Sequence, residues 1–255
     1  LKPNEDEYIL MGWAAVGDPN KYKKRIFEDF FYPLDQNSPR VRFKQNLHRG
    51  CKQWAPELNS VQDYADIAAG TQAVYEYVFE HLVKQTKKLV DTDNLVIMGG
   101  CALNCVANSK AKSMKEAIWI MPNPGDGGSA LGAAARHYGK KLNWKGPYLG
   151  TQVPRMDPHK IIKELLDGGI AAVCSGRAEF GPRALGNRSL FADPRGVKTK
   201  DAINAIKQRQ EFRPFAPVIR AKDVGDYFDV EPGFQSAYMQ RIVKCLTPDE
   251  YPAIV

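Results

Sequence analysis

An arginine-rich stretch at residues 176–195 carries the clearest sign of chemistry in this sequence. It reads GRAEFGPRALGNRSLFADPR and sets four arginines among three glycines and two prolines: Arg177, Arg183, Arg188 and Arg195. Arginine presents a planar fork of N–H donors that fits phosphate and carboxylate, and glycine lets a backbone approach a ligand closely. Ordering such a loop costs conformational entropy, so we expect an anion to sit in it.

The distribution of charge supports a local anion site. The 255 residues carry a net charge of +7, yet residues 177–220 alone hold ten Lys and Arg against four Asp and Glu, a surplus of six. A solvated basic surface loop is the plain alternative. Against it, Phe180, Leu185, Leu190 and Phe191 are threaded through the arginines and should anchor them to a core. A polyanionic partner stays open.

A second basic segment at residues 204–217, NAIKQRQEFRPFAP, places Lys207 close to Arg209 and Arg213. Lys207 and Arg183 are 24 residues apart in the chain, and both could face one anionic ligand across a sheet edge. A salt-bridged surface is the alternative interpretation.

Two glycine turns could each hold a ligand. Residues 99–104 read GGCALN at a predicted strand-to-helix junction, where backbone N–H groups attract anions and paired glycines admit a flat ring or sugar. The spacing matches neither G-x-G-x-x-G nor the P-loop, so a tight packing turn explains it equally well. Residues 123–129 read NPGDGGS and place Asp126 between glycines. Its carboxylate could cap a helix or ligate a metal, and from the residues alone the cap is favoured.

The elements that must position these residues alternate between strands and helices. Apolar residues recur at three- and four-residue steps from Ser60 to Leu89, which predicts a long helix capped by Ser60. Buried strands are expected at 94–98 and 117–121, each followed by a glycine turn and a helix, the second helix at 129–138. A helix at 159–166, a strand at 170–174, a helix at 201–208 and an extended strand at 212–219 follow. This alternation predicts an α/β fold.

Other stretches are less regular. Residues 5–19 resemble a helix or turn stopped by Gly-Asp-Pro, and residues 20–60 an irregular insertion with a short hairpin near 41–43. Residues 139–158 lack periodicity and contain several breakers, which predicts a domain boundary. No histidine stands in a metal-ligand spacing, and His81 and His159 are expected on helix surfaces.

Composition excludes several classes of protein. With 44% hydrophobic and 25% charged residues the chain is typical of globular proteins. No apolar run reaches the roughly 18 residues of a membrane span, and no signal peptide opens the chain. Five scattered cysteines include no CxxC pair, so we expect reduced thiols and a cytoplasmic location. Without an initial methionine or a closing helix, the chain reads like a segment of a longer protein.

Several blocks together resemble those of a known family. GGCALNCVANSK, PNPGDGGSALGAA, GRAEFGPRALGNRSLFADPR and NAIKQRQEFRPFAP are similar, in this order, to signature blocks of the nodulation/cephamycin-type O-carbamoyltransferases, and MGWAAVGDP resembles the family's MGLAAYGDP. The blocks cover most of the chain. The synthase of threonylcarbamoyladenosine in tRNA has a similar GG-x-A-x-N turn but lacks the GPRALGNRS block on the same chain.

The resemblance implies two domains. Residues 1–150 would be the C-terminal portion of an actin/Hsp70-like domain that transfers the carbamoyl group. Residues 151–255 would be the first part of a YrdC-like α/β domain that makes carbamoyl-adenylate from carbamoyl phosphate and ATP. The acceptor would be a small hydroxylated compound, and a homodimer is left open.

The resemblance also implies site roles. Gly99, Gly100 and Asn104, with Gly127 and Gly128, would line the nucleotide pocket. Asp126 would ligate a divalent metal, iron or magnesium, which reverses the preference for a cap. The resemblance assigns the phosphate of carbamoyl phosphate or of the adenylate to three cationic residues, Arg183, Arg188 and Lys207.

Two departures from the family pattern qualify these expectations. The family's N-terminal HxxxH histidines and its later NTSFN-like strand are not found in this sequence. We therefore expect the isolated chain to be inactive or to bind nucleotide weakly. Two alternatives stay open. One is a non-catalytic nucleotide-binding module. The other is a carbamoyltransferase acting on nucleic-acid bases, suggested by the pI of 9.1 and by Lys44, His48, Arg49 and Lys52.

Overall fold

The computed structural model describes residues 6–48, 50–51, 54–111 and 117–255. The chain contains both helices and strands, which is consistent with an α/β class. The α-helices are α1 (Glu7–Trp13), α2 (Pro19–Phe30), α3 (Val61–Leu89), α4 (Cys105–Lys110), α5 (Ser129–Tyr138), α6 (Pro158–Gly168), α7 (Thr199–Ile206) and α8 (Val224–Tyr227). The strands are β1 (Asn94–Ile97), β2 (Ala117–Ile120), β3 (Gln152–Val153), β4 (Ile170–Cys174), β5 (Gly176–Arg177), β6 (Arg188–Ala192), β7 (Phe228–Asp229) and β8 (Lys244–Cys245).

The chain divides into two compact units. The first consists of residues 1–93 and 106–116, and the second of residues 94–105 and 117–255. The actin-like and YrdC-like assignments and the boundary near residue 150 stay predictions.

Helix α3 organises the first unit. The predicted cap is confirmed: the Ser60 hydroxyl accepts a hydrogen bond from the Asp63 N–H, and the Asp63 carboxylate accepts one from the Ser60 N–H. This reciprocal capping box satisfies N–H groups that the first turn of a helix leaves unpaired. Ile26 and Phe30 of α2 pack with Val74 of α3 in the core of the unit.

The expected stop at Gly-Asp-Pro is confirmed, because α1 and the 3-10 turn Ala14–Val16 end directly before Gly17. The same three residues also begin the next helix, which was not predicted. The Asp18 carboxylate accepts a hydrogen bond from the Asn20 N–H, and Pro19 occupies the first turn of α2, where a missing N–H costs nothing. Asp66, buried in α3, accepts hydrogen bonds from the Asp18 N–H at 2.8 Å and from the Lys21 ammonium at 2.9 Å. These bonds lower the pKa of Asp66.

Two expectations for this unit are wrong. Residues 20–60 are not irregular throughout, because α2 fills their first part, and the expected hairpin is a single bridge between Phe31 and Phe43. His81 is buried, and its Nε2 lies 3.0 Å from the Ser38 carbonyl oxygen. The loop that covers this face of α3 hides a histidine that helical periodicity placed at the surface.

Gly17 allows α1 and α2 to reach α3. A Cβ atom at this position would overlap the carbonyl oxygen of Ala65. We expect Gly17→Ala to lower the free energy of unfolding by about 2 kcal/mol, because a backbone contact of this kind is relieved only by moving a helix. Gly168→Ala is the control, since its Cβ meets no atom within 4 Å. Urea denaturation measures both, and equal stability of the two variants would contradict the prediction.

The second unit contains the predicted strand–turn–helix pattern. Strands β1 and β2 pair in parallel, with Asn94 opposite Ala117 and Ile97 opposite Ile120. They were expected to be buried, but in the structure every second residue is exposed, Val96 by 60%, and of the residues between them only Ile120 is fully buried. Their β-branched and apolar residues therefore reflect strand propensity rather than burial on both faces.

The later elements of the second unit match the sequence except at one place. Helix α6 leads into β4, which pairs antiparallel with β6, and α7 follows. Residues 212–219 form no strand, contrary to expectation. Pro214 and Pro217 lack the N–H that a sheet ladder requires, and this explains why the segment joins no strand of the described residues.

Candidate functional site

Two glycine loops meet at the carboxyl ends of β1 and β2. The Gly99 N–H donates to the Pro124 carbonyl oxygen at 2.8 Å, and a Cβ at Gly125 would lie 3.7 Å from the Gly100 Cα. Gly99 has a φ of 95°, which a residue with a side chain rarely adopts. Adding a Cβ at Gly99 or Gly100 would meet no atom within 4 Å, so the space beside this turn is open. Asn104 ends the turn and is partly exposed.

Beside these loops lies a cleft of about 480 Å³ in the second unit. Its lining is mainly apolar and includes Met98, Trp119, Met121, Leu142 and Trp144, with Gly128 and Asp126 at the loop. The Trp144 Nε1 is buried and has no hydrogen-bond partner among the described residues. A cleft with this apolar, aromatic lining suits a flat ring.

Gly127 and Gly128 pack on Asn123. Both were expected to contact a nucleotide. A Cβ at Gly127 would lie 3.1 Å from the Asn123 side chain, and one at Gly128 would overlap the Asn123 carbonyl oxygen. Close backbone packing accounts for both glycines, and only Gly128 also lines the cleft. Their role toward a nucleotide stays a prediction.

Asp126 is exposed and begins a short 3-10 helix, Asp126–Gly128. No side chain caps this helix or α5, so the cap favoured from the residues alone is wrong. In the part of the chain that the structure describes, no three His, Cys, Asp or Glu side chains gather into a metal site. Asp126 is thus the lone carboxylate of the cleft, and one carboxylate does not amount to a metal site.

The arginine-rich loop is ordered around a carboxylate of its own. The Glu179 Oε1 accepts hydrogen bonds from the N–H groups of Leu185 and Asn187, both at 2.8 Å, and of Arg188 at 3.3 Å. Burial raises the pKa of Glu179, but the backbone N–H donors outweigh it and the net pKa is lowered. Glu179 thus supplies a negative charge inside the loop, and the bound anion expected there stays a prediction.

Arg188 directs its guanidinium at the backbone. Its Nη1 donates to the carbonyl oxygens of Ser175 and Asn187, and its Nη2 to those of Thr151 and Gly176, at 2.7 to 3.3 Å. These four bonds use the four N–H groups of the two terminal nitrogens. The expectation that Arg188 holds a phosphate stays a prediction, but the geometry gives it a different task.

Arg183 joins the arginine loop to the glycine turn. Its Nη2 donates to the Leu103 carbonyl oxygen at 3.0 Å, and no other hydrogen bond or ion pair of its guanidinium occurs within the described ranges. Gly181, with a φ of 141°, would bring a Cβ within 2.9 Å of the Pro122 carbonyl oxygen. The loops that follow β1, β2 and β5 therefore converge, and the remaining donors of Arg183 are available there.

The other arginines of the stretch bind elsewhere. Arg177 donates to the carbonyl oxygens of Leu149 and Gly150, and Arg195 forms a two-pronged pair with Asp193. The pair with Arg195 lowers the pKa of Asp193 to about 2. Neither arginine takes part in the convergence of the three loops.

Lys207 follows α7 and is exposed, and its ammonium makes no hydrogen bond or ion pair within the described residues. The segment behind it is built on Asn204, which is fully buried. The Asn204 amide donates to the carbonyl oxygens of Glu211 and Arg213 and accepts from the Arg209 Nε at 2.6 Å. No motif or spacing in the sequence predicted this role for Asn204.

The basic residues of the insertion give little support to nucleic-acid binding. Lys44 donates to the Glu28 carbonyl oxygen, whereas Arg49 and Lys52 lie outside the described residues. None of the helices in the described ranges is both long and apolar enough to cross a membrane.

Comparison with known proteins agrees with the motif order. Residues 1–135 match the family model for the carbamoyltransferase N-terminus, and residues 162–255 match that for the carbamoyltransferase C-terminus. The nodulation protein NolO of Bradyrhizobium diazoefficiens is 32% identical over 94% of this chain and 50% of its own length.

Two enzymes named 3'-hydroxymethylcephem-O-carbamoyltransferase are also similar. That of Amycolatopsis lactamdurans is 31% identical over 90% of this chain and 47% of its own length. That of Streptomyces clavuligerus is 34% identical over 86% and 45%. The chain thus spans about half the length of these relatives. The N-terminal and C-terminal family models match the chain in the same order as its motifs. The chain therefore belongs to the carbamoyltransferase family.

Proposed function

We propose that the protein is an ATP-dependent O-carbamoyltransferase, which moves the carbamoyl group of carbamoyl phosphate through carbamoyl-adenylate to the hydroxyl of a small acceptor. Relatives named for carbamoylation of a hydroxymethyl group support the acceptor class. The observation that carries the proposal is the bond from Arg183 to the Leu103 carbonyl oxygen. It sets a guanidinium with spare donors at the end of the glycine turn, and Gly99 at the start of the same turn lines the apolar cleft.

The apolar cleft fits the flat base of a nucleotide. Trp119 and Trp144 supply aromatic surface for stacking. The open turn at Gly99 and Gly100 leaves room for a sugar or phosphate close to the backbone. These features favour ATP as the co-substrate in this part of the protein.

The chemistry suits an arginine at this place. Water releases carbamate and phosphate from carbamoyl phosphate, and a carbamate oxygen then attacks the α-phosphorus of ATP while pyrophosphate leaves. Next, the acceptor hydroxyl attacks the carbamoyl carbon, AMP leaves, and the hydroxyl proton passes to solvent or a base. Negative charge builds up on phosphate oxygens in these steps, and a fixed guanidinium stabilises it.

The resemblance also implies a divalent metal, and the described residues support this expectation least. Asp126 has no second His, Cys, Asp or Glu ligand in a cluster within the described ranges. We therefore derive no step through a metal.

The full-length gene product tests the proposal. It is incubated with ¹⁴C-carbamoyl phosphate, ATP and a panel of hydroxymethyl compounds. We expect label in the acceptor together with release of AMP and pyrophosphate. Transfer without ATP would contradict the adenylate route, and the absence of both transfer and ATP binding by calorimetry would overturn the proposal.

Trp144→Phe provides a sharper test of the nucleotide cleft. It keeps an aromatic ring but removes part of the stacking surface, and we expect the affinity for ATP to fall about tenfold, which corresponds to the loss of about 1.4 kcal/mol. Trp54→Phe is the control, because the Trp54 N–H already donates to Asp29 in the other compact unit. Calorimetric titration measures both. Equal affinities of the two variants would remove Trp144 from the site.

A further inference from the structure

Two opposite charges tie the arginine-rich loop at both of its ends. The Glu179 carboxylate accepts three backbone N–H groups from residues 185–188, and the Arg188 guanidinium donates to four backbone carbonyl groups. We call Glu179 and Arg188 the loop brace. Both side chains lie in partly buried surroundings, where charge-assisted hydrogen bonds are stronger than in open water.

The brace encloses the residue that carries the proposed chemistry. Arg183 lies between Glu179 and Leu185, so the carboxylate pulls the chain after Arg183 back toward the chain before it. Arg188 then ties the end of the loop to the neighbouring segments at Thr151, Ser175 and Gly176. A loop fixed at both ends holds its middle residue at lower entropic cost when a ligand binds.

The brace also leaves the charge of Arg183 uncompensated. Among the described residues, Glu179 forms no ion pair with an arginine, because its Oε1 faces backbone N–H groups. Arg188 in turn faces carbonyl oxygens rather than a carboxylate. Glu179 and Arg188 thus order the loop, and neither of them neutralises the Arg183 guanidinium that is proposed to bind an anion.

We propose that Glu179 and Arg188 are positioning residues that hold Arg183 for binding of the anionic substrate. This inference rests on the proposed function. The brace acts on the pose of Arg183 and not on the nucleotide cleft, so its loss should change the KM for carbamoyl phosphate while leaving ATP binding as it is.

Two variants of the full-length gene product test the brace. Glu179→Gln keeps the shape of the side chain but removes its charge, and Arg188→Lys keeps the charge but cannot reach four carbonyl groups at once. We expect each to raise the KM for carbamoyl phosphate about tenfold, with the Kd for ATP by calorimetry unchanged. Asp193→Asn is the matched control, because it breaks only the outlying pair with Arg195.

The possible outcomes separate the positioning role of the brace from the proposed function. An active wild-type protein whose two brace variants show the wild-type KM would overturn the positioning role alone. A wild-type protein without carbamoyl transfer would overturn the proposed function and, with it, the task of Arg183. If both variants lose their cooperative thermal transition, the brace maintains the fold as a whole and the positioning role is wrong. A shift in KM with a wild-type Tm supports the inference.

Discussion

Arg183→Ala in the full-length gene product lowers kcat/KM for carbamoyl phosphate by roughly 100- to 1,000-fold, the usual cost of removing one preorganised donor from developing negative charge. With the residues that the structure describes, the side chain makes a single hydrogen bond, to the Leu103 carbonyl oxygen, so the fold should survive its loss. Arg183→Lys should recover part of the rate, because the ammonium keeps the charge but not the fork of donors. Steady-state kinetics with labelled carbamoyl phosphate measures both variants.

Arg177→Ala is the matched control for Arg183. It removes an arginine of the same stretch whose donors face the carbonyl oxygens of Leu149 and Gly150. We expect its kcat/KM to stay within about twofold of the wild-type value, since an exposed bond of this kind contributes little. If the two alanine variants lost activity equally, Arg183 would have no special place in the site.

Asn204→Ala should produce the largest loss of stability in the second unit. Asn204 is 0% exposed. The variant removes its bonds to the carbonyl oxygens of Glu211 and Arg213 and to the Nε–H of Arg209. Each buried polar group without a partner costs about 1–3 kcal/mol, so we expect the free energy of unfolding to fall by about 3 kcal/mol or more. Urea denaturation followed by circular dichroism provides the measurement.

Ile206→Ala separates this effect from a general loss of side chain in α7. Ile206 lies two residues further along the same helix and is 57% exposed. Its truncation should change the free energy of unfolding by no more than about 0.5 kcal/mol. A stability loss for Asn204→Ala as small as that for Ile206→Ala would show that the segment after α7 is held by other contacts.

The long helices were predictable because their signals are local. Ser60 and Asp63 are three residues apart, the spacing of a capping box, and the apolar stripe of α3 repeats with the helical period. The strand–turn–helix order around Gly99 also follows from neighbouring residues. The helix end at Gly-Asp-Pro was predicted correctly, but the start of α2 at the same residues was missed, although an aspartate followed by proline is typical of a helix start.

The partners of the arginines could not be read from the sequence. A guanidinium fork fits a phosphate, a carboxylate or a set of backbone carbonyl groups, and only the tertiary structure decides among them. Arg188 meets carbonyl oxygens from three separate places in the chain, Thr151, Ser175 with Gly176, and Asn187. Local spacing contains no signal for such an arrangement. The same is true of His81, whose partner lies 43 residues away.

Because Arg188 binds main-chain oxygens, its bonds do not depend on which side chains its partners carry. Thr151 and Asn187 contribute to the brace only the carbonyl group that every amino acid has. Arg188 is therefore sensitive to substitution, whereas the positions that it touches can change without loss of these bonds. Such one-sided tolerance lets the surface around the loop change while the arginine that organises it stays in place.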